Sequence, residues 1–568
     1  MQKRWTAKAT PDRALVEELS SAINLNKVLT GILVQRGVDT FEKAKSFFRP
    51  QYTDLHDPFI MKGMKTAIER IDTALAENQK ILVYGDYDVD GTTSVATVYS
   101  FFSQRYDNLD YYIPDRYTEG YGISFNAIDW ASNNGFSLII ALDCGIKAID
   151  KIEYANKKNI DFIICDHHLP GDTVPEAVAI LNPKQKDCPY PFKELSGCGI
   201  GFKLIQAYAI KHDIPFKEVE NFVDLSAVSV ASDLVPILDE NRVLAHYGLK
   251  KLKDNPNNGL KALLQTYAPR QEYTVNDVVF FIGPRINAAG RIADAKDSVR
   301  LMISSEQSKA LEIAELVNHH NNERRLFDAN ITEHAFDMIL KDESFEAKKA
   351  TVLFHNEWHK GVIGIVASRL IEKYYRPTVI LTESNGLATG SARSVDGFDL
   401  YSAIEECSDL LEQYGGHTHA AGLTMRLENV VKFTEKFERI VANNINERSL
   451  VPEIEYDVEI PLRIITPKFF SVLKQFAPFG PGNLNPVFMA KNVWDVGDVT
   501  IVGSNHLKLS ITQEEGGRIF KAIGFGLGEH YHKVVQGISF DVCFTIEENY
   551  FNGHVNLQLN IKDVLFRS

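Results

Sequence analysis

Three short apolar runs in the first third of the chain each end in an aspartate: 81-ILVYGD-86, 138-LIIALD-143 and 161-DFIICD-166. All three read as strands. Helical stretches lie between them, such as 92-TTSVATVYSFFSQR-105 and 147-KAIDKIEYANKK-158. Strands alternating with helices predict a parallel sheet with crossover helices. In such a sheet ligands bind beyond the carboxyl ends of the strands. This fold class therefore delivers Asp86, Asp143 and Asp166 to one edge.

The first strand end carries more than one carboxylate. In 83-VYGDYDVDGTTS-94, Asp86, Asp88 and Asp90 occupy alternate positions before Gly91. Carboxylates this close repel one another unless a cation neutralises them. A calcium loop of the EF-hand type needs a Glu at its twelfth position and a helix before it. The twelfth position is Thr97, and a strand precedes the loop. In an extended segment the three carboxylates point one way, with Tyr87 and Val89 toward the core. The third strand end continues into His167 and His168. A fourth apolar stretch, 227-AVSVASDLVPI-237, reads as a further strand end and brings Asp233.

One aspartate at a strand end is well explained as a helix cap; four coinciding ends are not. Mixed Asp and His ligation without cysteine suits Mn²⁺, Mg²⁺ or zinc. So many oxygen ligands point to a pair of divalent ions, with Asp143 at the centre as the bridging candidate. Two ions about 3.5–4 Å apart suit an in-line displacement at phosphorus.

The bulk composition narrows the setting. The chain has 568 residues, 45% hydrophobic and 24% charged, which is ordinary for a globular protein of several domains. No apolar run approaches the ~18 residues of a membrane span, and the N-terminus lacks the apolar region of a secretory signal. The six cysteines form no CxxC pair, which suits a reducing, cytoplasmic setting. Cys144 and Cys165 read as small buried hydrophobes. The net charge of −14 argues mildly against a nucleic-acid partner. However, an Asp-rich metal site adds formal charge that bound cations cancel.

Beyond the first half, 306–342 has a long helical pattern and reads as a connector. A second α/β pattern follows, with strands 350-ATVLFH-355 and 378-TVILT-382 and a helix over 361–375. After 478-PFGPGNLNPVF-488 come short strands such as 507-LKLSI-511, 539-SFDVCFTI-546 and 554-HVNLQLNI-561, which predict a small β-barrel. The GCGIGFK run at 197–203 lacks the setting of a dinucleotide site and reads as a tight turn into a helix.

DYDVDG, LDCG, the DHH triplet and SDLVP resemble, in order and context, the DHH phosphoesterase superfamily. Further stretches are similar to the bacterial single-strand-specific exonucleases of that superfamily. They are 114-PDRYTEGYG-122, 283-GPRINAAGR-291, 358-WHKGVIGIVASR-369, 390-GSARS-394, 415-GGHTHAAG-422 and 478-PFGPGNLNPVF-488, so the likeness covers nearly the whole chain. One departure is Ser232, in a place that looks like Ala in relatives.

The resemblance implies an α/β architecture with five parts. These are an N-terminal helical segment (1–55), a parallel-sheet DHH domain (56–300) and a long connector helix (301–345), then a second α/β domain of DHHA1 type (346–448) and a C-terminal all-β OB-like barrel (449–568). It implies a metal-dependent 5′→3′ exonuclease that hydrolyses single-stranded DNA to 5′-mononucleotides in repair and recombination. The alternative is a phosphodiesterase for short oligonucleotides or cyclic dinucleotides. Two divalent ions, Mn²⁺ or Mg²⁺, would be held by Asp88, Asp90, Asp143, His167 and Asp233, with Asp86 a further candidate. Asp143, His167 and His168 would be catalytic, His168 touching the scissile phosphate or supporting the leaving group, and Asp166 would orient a histidine.

On the DNA side, Arg116, Arg285, Arg291 and Arg393 are planar, permanently charged donors suited to phosphate. By similarity, Ser391 and some of these arginines would hold the 5′-terminal phosphate, with His417 nearby and Gly415, Gly416 and Gly422 admitting the strand. Trp358 and His359 would either face the groove or pack the second domain. Phe520, Phe525, Tyr550 and Phe551 are candidate base-stackers in the β tail. A single-strand binding protein and a RecQ-type helicase would fit as protein partners.

Overall fold

The computed structural model of the chain describes residues 3–267, 270–551 and 554–566. It divides into two units, Ala7–Asn318 with Glu455–Ser568, and Met1–Thr6 with His319–Ile454.

The larger unit holds a five-stranded parallel sheet. The strands lie in the order 109–112, 80–85, 136–142, 161–165, 179–181. Helices cover both faces. Ile81, Val83, Leu138, Ile140, Ile163 and Cys165 enter one core; Leu82, Tyr84, Ile139, Ala141, Phe162 and Ile164 enter another. Two buried faces are why these strands read as unbroken apolar runs rather than alternating ones. The strand order reverses at Lys80–Gly85, whose neighbours are 109–112 on one side and 136–142 on the other. Such a switch point leaves a crevice at the carboxyl ends, and here the crevice opens beside the paired Gly85 and Leu142.

Two expectations are corrected. The acidic run is not extended, because a helix, Val89–Ser103, begins inside it. Asp88 is the N-cap and its carboxylate accepts from the Gly91 amide at 2.9 Å. Asp90 already lies in the first helical turn. The three carboxylates therefore leave the strand in different directions. The stretch before Asp233 is likewise a helix, Val223–Ser232, with Asp233 as its C-cap. Every residue from Val223 to Ala231 is buried. A helix buried all round, whose polar residues Asp224, Ser226 and Ser229 face no solvent, has no amphipathic period, so its pattern cannot be told from a buried strand.

The C-terminal part closes on itself. Strand 488–495 pairs with 540–551, then come 554–566, 520–524 and 506–512, and the last pairs back to 488–495. This ring of five strands is the predicted barrel. Leu29, Ile32 and Leu33 of the N-terminal helix Lys27–Gln35 share its core with Phe488, Phe540 and Leu559.

The smaller unit has a mixed five-stranded sheet, in the order 411–417, 420–426, 387–393, 378–384, 351–354. Only the last pair is parallel. Helix Ile363–Lys373 packs on it. The connector pattern forms one helix, Gln307–Leu340.

Candidate metal centre and phosphate-binding row

At the switch point the side chains converge. His167 Nε2 lies 3.2 Å from Asp143 Oδ1, 3.5 Å from Asp233 Oδ2 and 3.7 Å from Asp90 Oδ2. Among the described residues, two groups offer ligand atoms within 4.8 Å of one another: Asp143, His167 and His168, and Asp90, His167 and Asp233. His167 is thus common to both. Asp143 stands at a strand end with φ 59°, a left-handed conformation rare outside glycine. Its amide donates to the Cys165 carbonyl at 2.8 Å, which fixes the turn.

Polar atoms in this cluster lack partners. Asp143 Oδ1, Asp86 Oδ2 and both ring nitrogens of His167 are buried without a hydrogen bond. Buried polar atoms are normally satisfied. Asp143 Oδ1 and His167 Nε2, 3.2 Å apart within the carboxylate cluster and without hydrogen bonds, fit a site built for divalent cations.

Electrostatics point the same way. Burial pushes the Asp143 carboxyl well above the usual range, and Asp90, Asp88 and Asp233 push it further. Burial, then Asp90 and Asp88, push Asp233 up to about 8. Asp86 and Asp88 are raised for the same reasons. Burial lowers the pKa of His167. A cation that neutralises the cluster reverses the cost of ionising it.

Other groups hold the cluster in place. Asp90 accepts from the amides of Gly197 (2.7 Å) and Cys198 (2.8 Å) at the start of helix Gly197–Lys211, and from Ser229 Oγ (2.6 Å). The GCGIGFK run is this helix start. Asp166 accepts from the Ile146 amide (2.9 Å), the His168 amide (3.1 Å) and His168 Nδ1 (2.7 Å). For Asp166, burial raises the pKa, but the His168 contacts outweigh it and leave the carboxyl low. For His168, burial lowers the pKa, but the Asp166 hydrogen bond wins and the ring is raised. Tyr121 Oη lies 3.0 Å from the Asp143 carbonyl and 3.3 Å from His168 Nε2.

The sequence reading missed Ser229, Tyr121 and the Gly197 and Cys198 amides. Glycine was the available signal. A Cβ on Gly197 would stand 2.6 Å from Asp143 Cβ, and one on Gly91 would stand 2.4 Å from the Asp86 carbonyl oxygen.

Asp86 and Asp88 stand outside both ligand groupings. Asp86 is fully buried and accepts from the Gly122 amide at 3.2 Å. Arg116 lies over the Tyr87 ring at 4.7 Å, and the Arg291 carbonyl accepts from Tyr117 Oη. These two arginines lie close to the acidic run. Arg285 is held by its own neighbourhood: Nε donates to Asn318 Oδ1 at 2.6 Å, and the guanidinium covers the Phe281 ring at 3.6 Å.

In the smaller unit the sheet register forms two rows. One row is Gly415, Gly422 and Ser391; the next is His417, Ala420 and Arg393. Positions two apart along a strand share a face. The result is a floor of small residues edged by Ser391 and Arg393 on one side and His417 on the other. Arg393 Nη1 donates to Ser391 Oγ at 3.0 Å. A Cβ on Gly364 would meet Ser391 Oγ at 2.8 Å and Arg393 Nη2 at 2.9 Å.

Of the aromatic candidates, Trp358 is buried and donates from Nε1 to His334 Nδ1 at 3.2 Å, so it packs the smaller unit. His359 stacks on Phe327. Phe520 is in the barrel core, whereas Phe525 is exposed. The side chains of Tyr550 and Phe551 lie outside the described residues.

Comparisons with known proteins agree with this geometry. Residues 80–229 match the DHH family N-terminal domain, 347–443 the DHHA1 domain and 456–563 the RecJ OB domain. The single-stranded-DNA-specific exonuclease RecJ of Bacillus subtilis is 36% identical over 565 residues, which is 99% of this chain and 70% of that protein. RecJ of Haemophilus influenzae is 30% identical over 526 residues, 89% and 90% of the two chains. The structure of Thermus thermophilus RecJ with Mn²⁺ has a TM-score of 0.85 at 25% identity, covering all of this chain and 80% of that one. A parallel sheet whose switch point gathers aspartates and a DHH triplet, followed by a DHHA1 module, defines a member of the DHH family. More narrowly, the chain belongs to the RecJ family of single-stranded-DNA-specific exonucleases.

Proposed function

We propose that the protein is a metal-dependent 5′→3′ exonuclease that hydrolyses single-stranded DNA to 5′-mononucleotides. The observation that carries this reading is the pair of buried atoms at the strand ends, Asp143 Oδ1 and His167 Nε2, which make no hydrogen bond and lie among the grouped Asp and His ligand atoms. The cations are Mn²⁺ or Mg²⁺, as in the Mn²⁺ and Mg²⁺ complexes of T. thermophilus RecJ. Asp88, Asp90, Asp143, His167 and Asp233 would hold them, with Asp86 a further candidate. When bound, such a pair supplies Lewis acidity at the scissile phosphate and lowers the pKa of the attacking water.

The chain's own residues do the rest. Asp166 fixes the His168 ring through Nδ1, which leaves Nε2 to hold a proton for the leaving oxygen. Arg116 and Arg291 contribute positive charge beside the acidic run, and Arg285 is a further phosphate contact. In the smaller unit, Ser391 and Arg393 take the terminal phosphate, His417 lies along the same face, and the glycines admit the backbone. An anchored 5′ end makes the hydrolysis exonucleolytic.

This reading assigns catalysis to residues 56–300, end-binding to 346–448 and strand-binding to the barrel at 449–568, with 1–55 as a helical segment and 301–345 as the connector. It places the protein in the cytoplasm, in repair and recombination, with a single-strand binding protein and a RecQ-type helicase as partners. Among the described residues, no helix is long and apolar enough to cross a membrane. The test is substrate choice in Mn²⁺. Degradation of a long single strand, with an equal duplex left intact, supports the reading. Cleavage of dinucleotides or cyclic dinucleotides alone overturns it.

A further inference from the structure

The motif 478-PFGPGNLNPVF-488 lies within the matched OB domain, far along the chain from the metal centre. It has no part in the chemistry above. The structure nevertheless seats it against the segment that carries Asp233. The Ile237 amide donates to the Pro481 carbonyl at 2.7 Å. A Cβ on Gly480 would stand 2.6 Å from Ile237 Cγ1. Gly482, at φ 73°, lies where a Cβ would meet Leu238 at 3.1 Å and Pro236 at 3.3 Å. The contact therefore covers 236–238 and leaves no slack.

The turn itself is locked. Gly480 and Asn483 exchange backbone hydrogen bonds of 3.0 and 2.8 Å. The buried Asn483 amide donates to the carbonyls of Phe476 and Pro478, both at 2.8 Å. Its carbonyl oxygen accepts from Arg36, which also donates to the Leu484 carbonyl at 2.6 Å. From the opposite side, Arg242, only 4% exposed, donates to the carbonyls of Phe47, Phe476, Ala477 and Pro478 at 2.8–3.4 Å.

Between Asp233 and the anchored Ile237 there are three residues, Leu234, Val235 and Pro236. Leu234 has φ 57° and is 57% exposed. A leucine in the left-handed region is strained and persists only where its surroundings over-determine it. Val235 is buried and Ile237 fully so. The segment is thus fixed at Asp233 by the end of its helix and at Ile237 by the turn, with a strained residue between.

We propose that the 478–483 turn is a positioning element of the metal centre: through Ile237 it sets where the Asp233 carboxylate stands. Cation affinity is then coupled to the seating of the OB domain. The proposal rests on the reading of Asp233 as a ligand. Groups that orient metal ligands typically change affinity by about 10–100-fold when removed.

The experiment is direct titration of Mn²⁺ by calorimetry on the full chain, with far-UV circular dichroism of the metal-free protein. Gly480→Ala is expected to keep the wild-type spectrum and bind Mn²⁺ roughly tenfold more weakly. A folded Gly480→Ala protein with wild-type affinity overturns the proposal. If Gly480→Ala does not fold, Arg36→Gln, which loosens the turn from outside, carries the same expectation and the same refutation. Asp233→Asn separates the two levels. Wild-type Mn²⁺ binding by Asp233→Asn sinks the ligand assignment itself. Weakened binding there, with none in Gly480→Ala, sinks only the positioning role.

Discussion

The carboxylate of Asp90 accepts from the Gly197 amide at 2.7 Å, so the N-terminus of one helix holds a ligand candidate on the first turn of another. The oxygen that meets this amide, Oδ2, also lies 3.7 Å from His167 Nε2. Amides at a helix start favour an anion. They position Asp90 before any cation arrives.

Ser229 completes that cradle. Its hydroxyl has one proton, which goes to Asp90 at 2.6 Å, so at 2.6 Å Ser196 is the donor to Ser229. Ser229→Ala is expected to weaken Mn²⁺ binding by roughly tenfold or more. The loss of one hydrogen bond to a charged group costs about 1.5–3 kcal/mol. Unchanged Mn²⁺ affinity would show that the amides alone suffice.

The pH dependence of stability follows from the raised carboxylates. In the metal-free protein Asp143, Asp88 and Asp233 have folded pKa values above their ordinary ones, Asp233 at about 8. Groups raised on folding contribute stability that is present at low pH and is lost as pH rises through the folded value. Burial lowers His167 and the His168 contacts lower Asp166, and both act in the opposite sense, but Asp86 and His168 are raised as well, so the raised groups outnumber the lowered ones. Metal-free protein should therefore lose stability between about pH 4 and pH 8. The rise in Tm on adding Mn²⁺ should grow over the same interval, because the ligands must be deprotonated to bind. Thermal melts with chelator and with Mn²⁺ across that range test this; a Mn²⁺ effect independent of pH contradicts it.

Lys203, on the helix that cradles Asp90, is fully buried. It donates to Glu240 at 2.8 Å and to the His56 carbonyl at 2.6 Å. Tyr190 donates to the other Glu240 oxygen at 2.6 Å. Lys203→Met leaves a buried carboxylate without its cation, at a cost of about 3–5 kcal/mol. Lys203→Met with Glu240→Gln should recover part of that. Urea denaturation of the single and double variants decides whether the pair is coupled.

Arg393 and Ser391 edge the glycine floor of the smaller unit. Arg393→Ala is expected to raise KM for 5′-phosphorylated single strands by about tenfold or more, the effect of losing one charge-assisted hydrogen bond. Strands with a 5′-hydroxyl should be little affected. An equal loss on both substrates would remove the end-binding assignment.

Much of this was legible in the residues. Asp143 and Asp166 are visible as strand ends because Leu138–Leu142 and Phe162–Cys165 are apolar on both faces. The same complete burial hid the helix before Asp233, where no polar residue marks a solvent face. The direction of Asp88 and Asp90 was also hidden. Asp caps a helix as readily as it ends a strand, and only the structure shows the chain turning at Asp88. Ser229 and Tyr121 carry no local signal, since their role comes from contacts 139 and 22 residues away in sequence. Trp358 reads equally well as groove or core, and burial decides for core.

The most direct test is a time course on one single-stranded DNA, labelled in turn at its 5′ and 3′ ends, with Mn²⁺, for wild type and Asp143→Ala. The expected result is immediate release of a labelled mononucleotide from the 5′-labelled strand and stepwise shortening of the 3′-labelled one. Asp143→Ala should lose both while keeping its fold. Release from the 3′ end first, internal cuts, or full activity in Asp143→Ala would contradict the account.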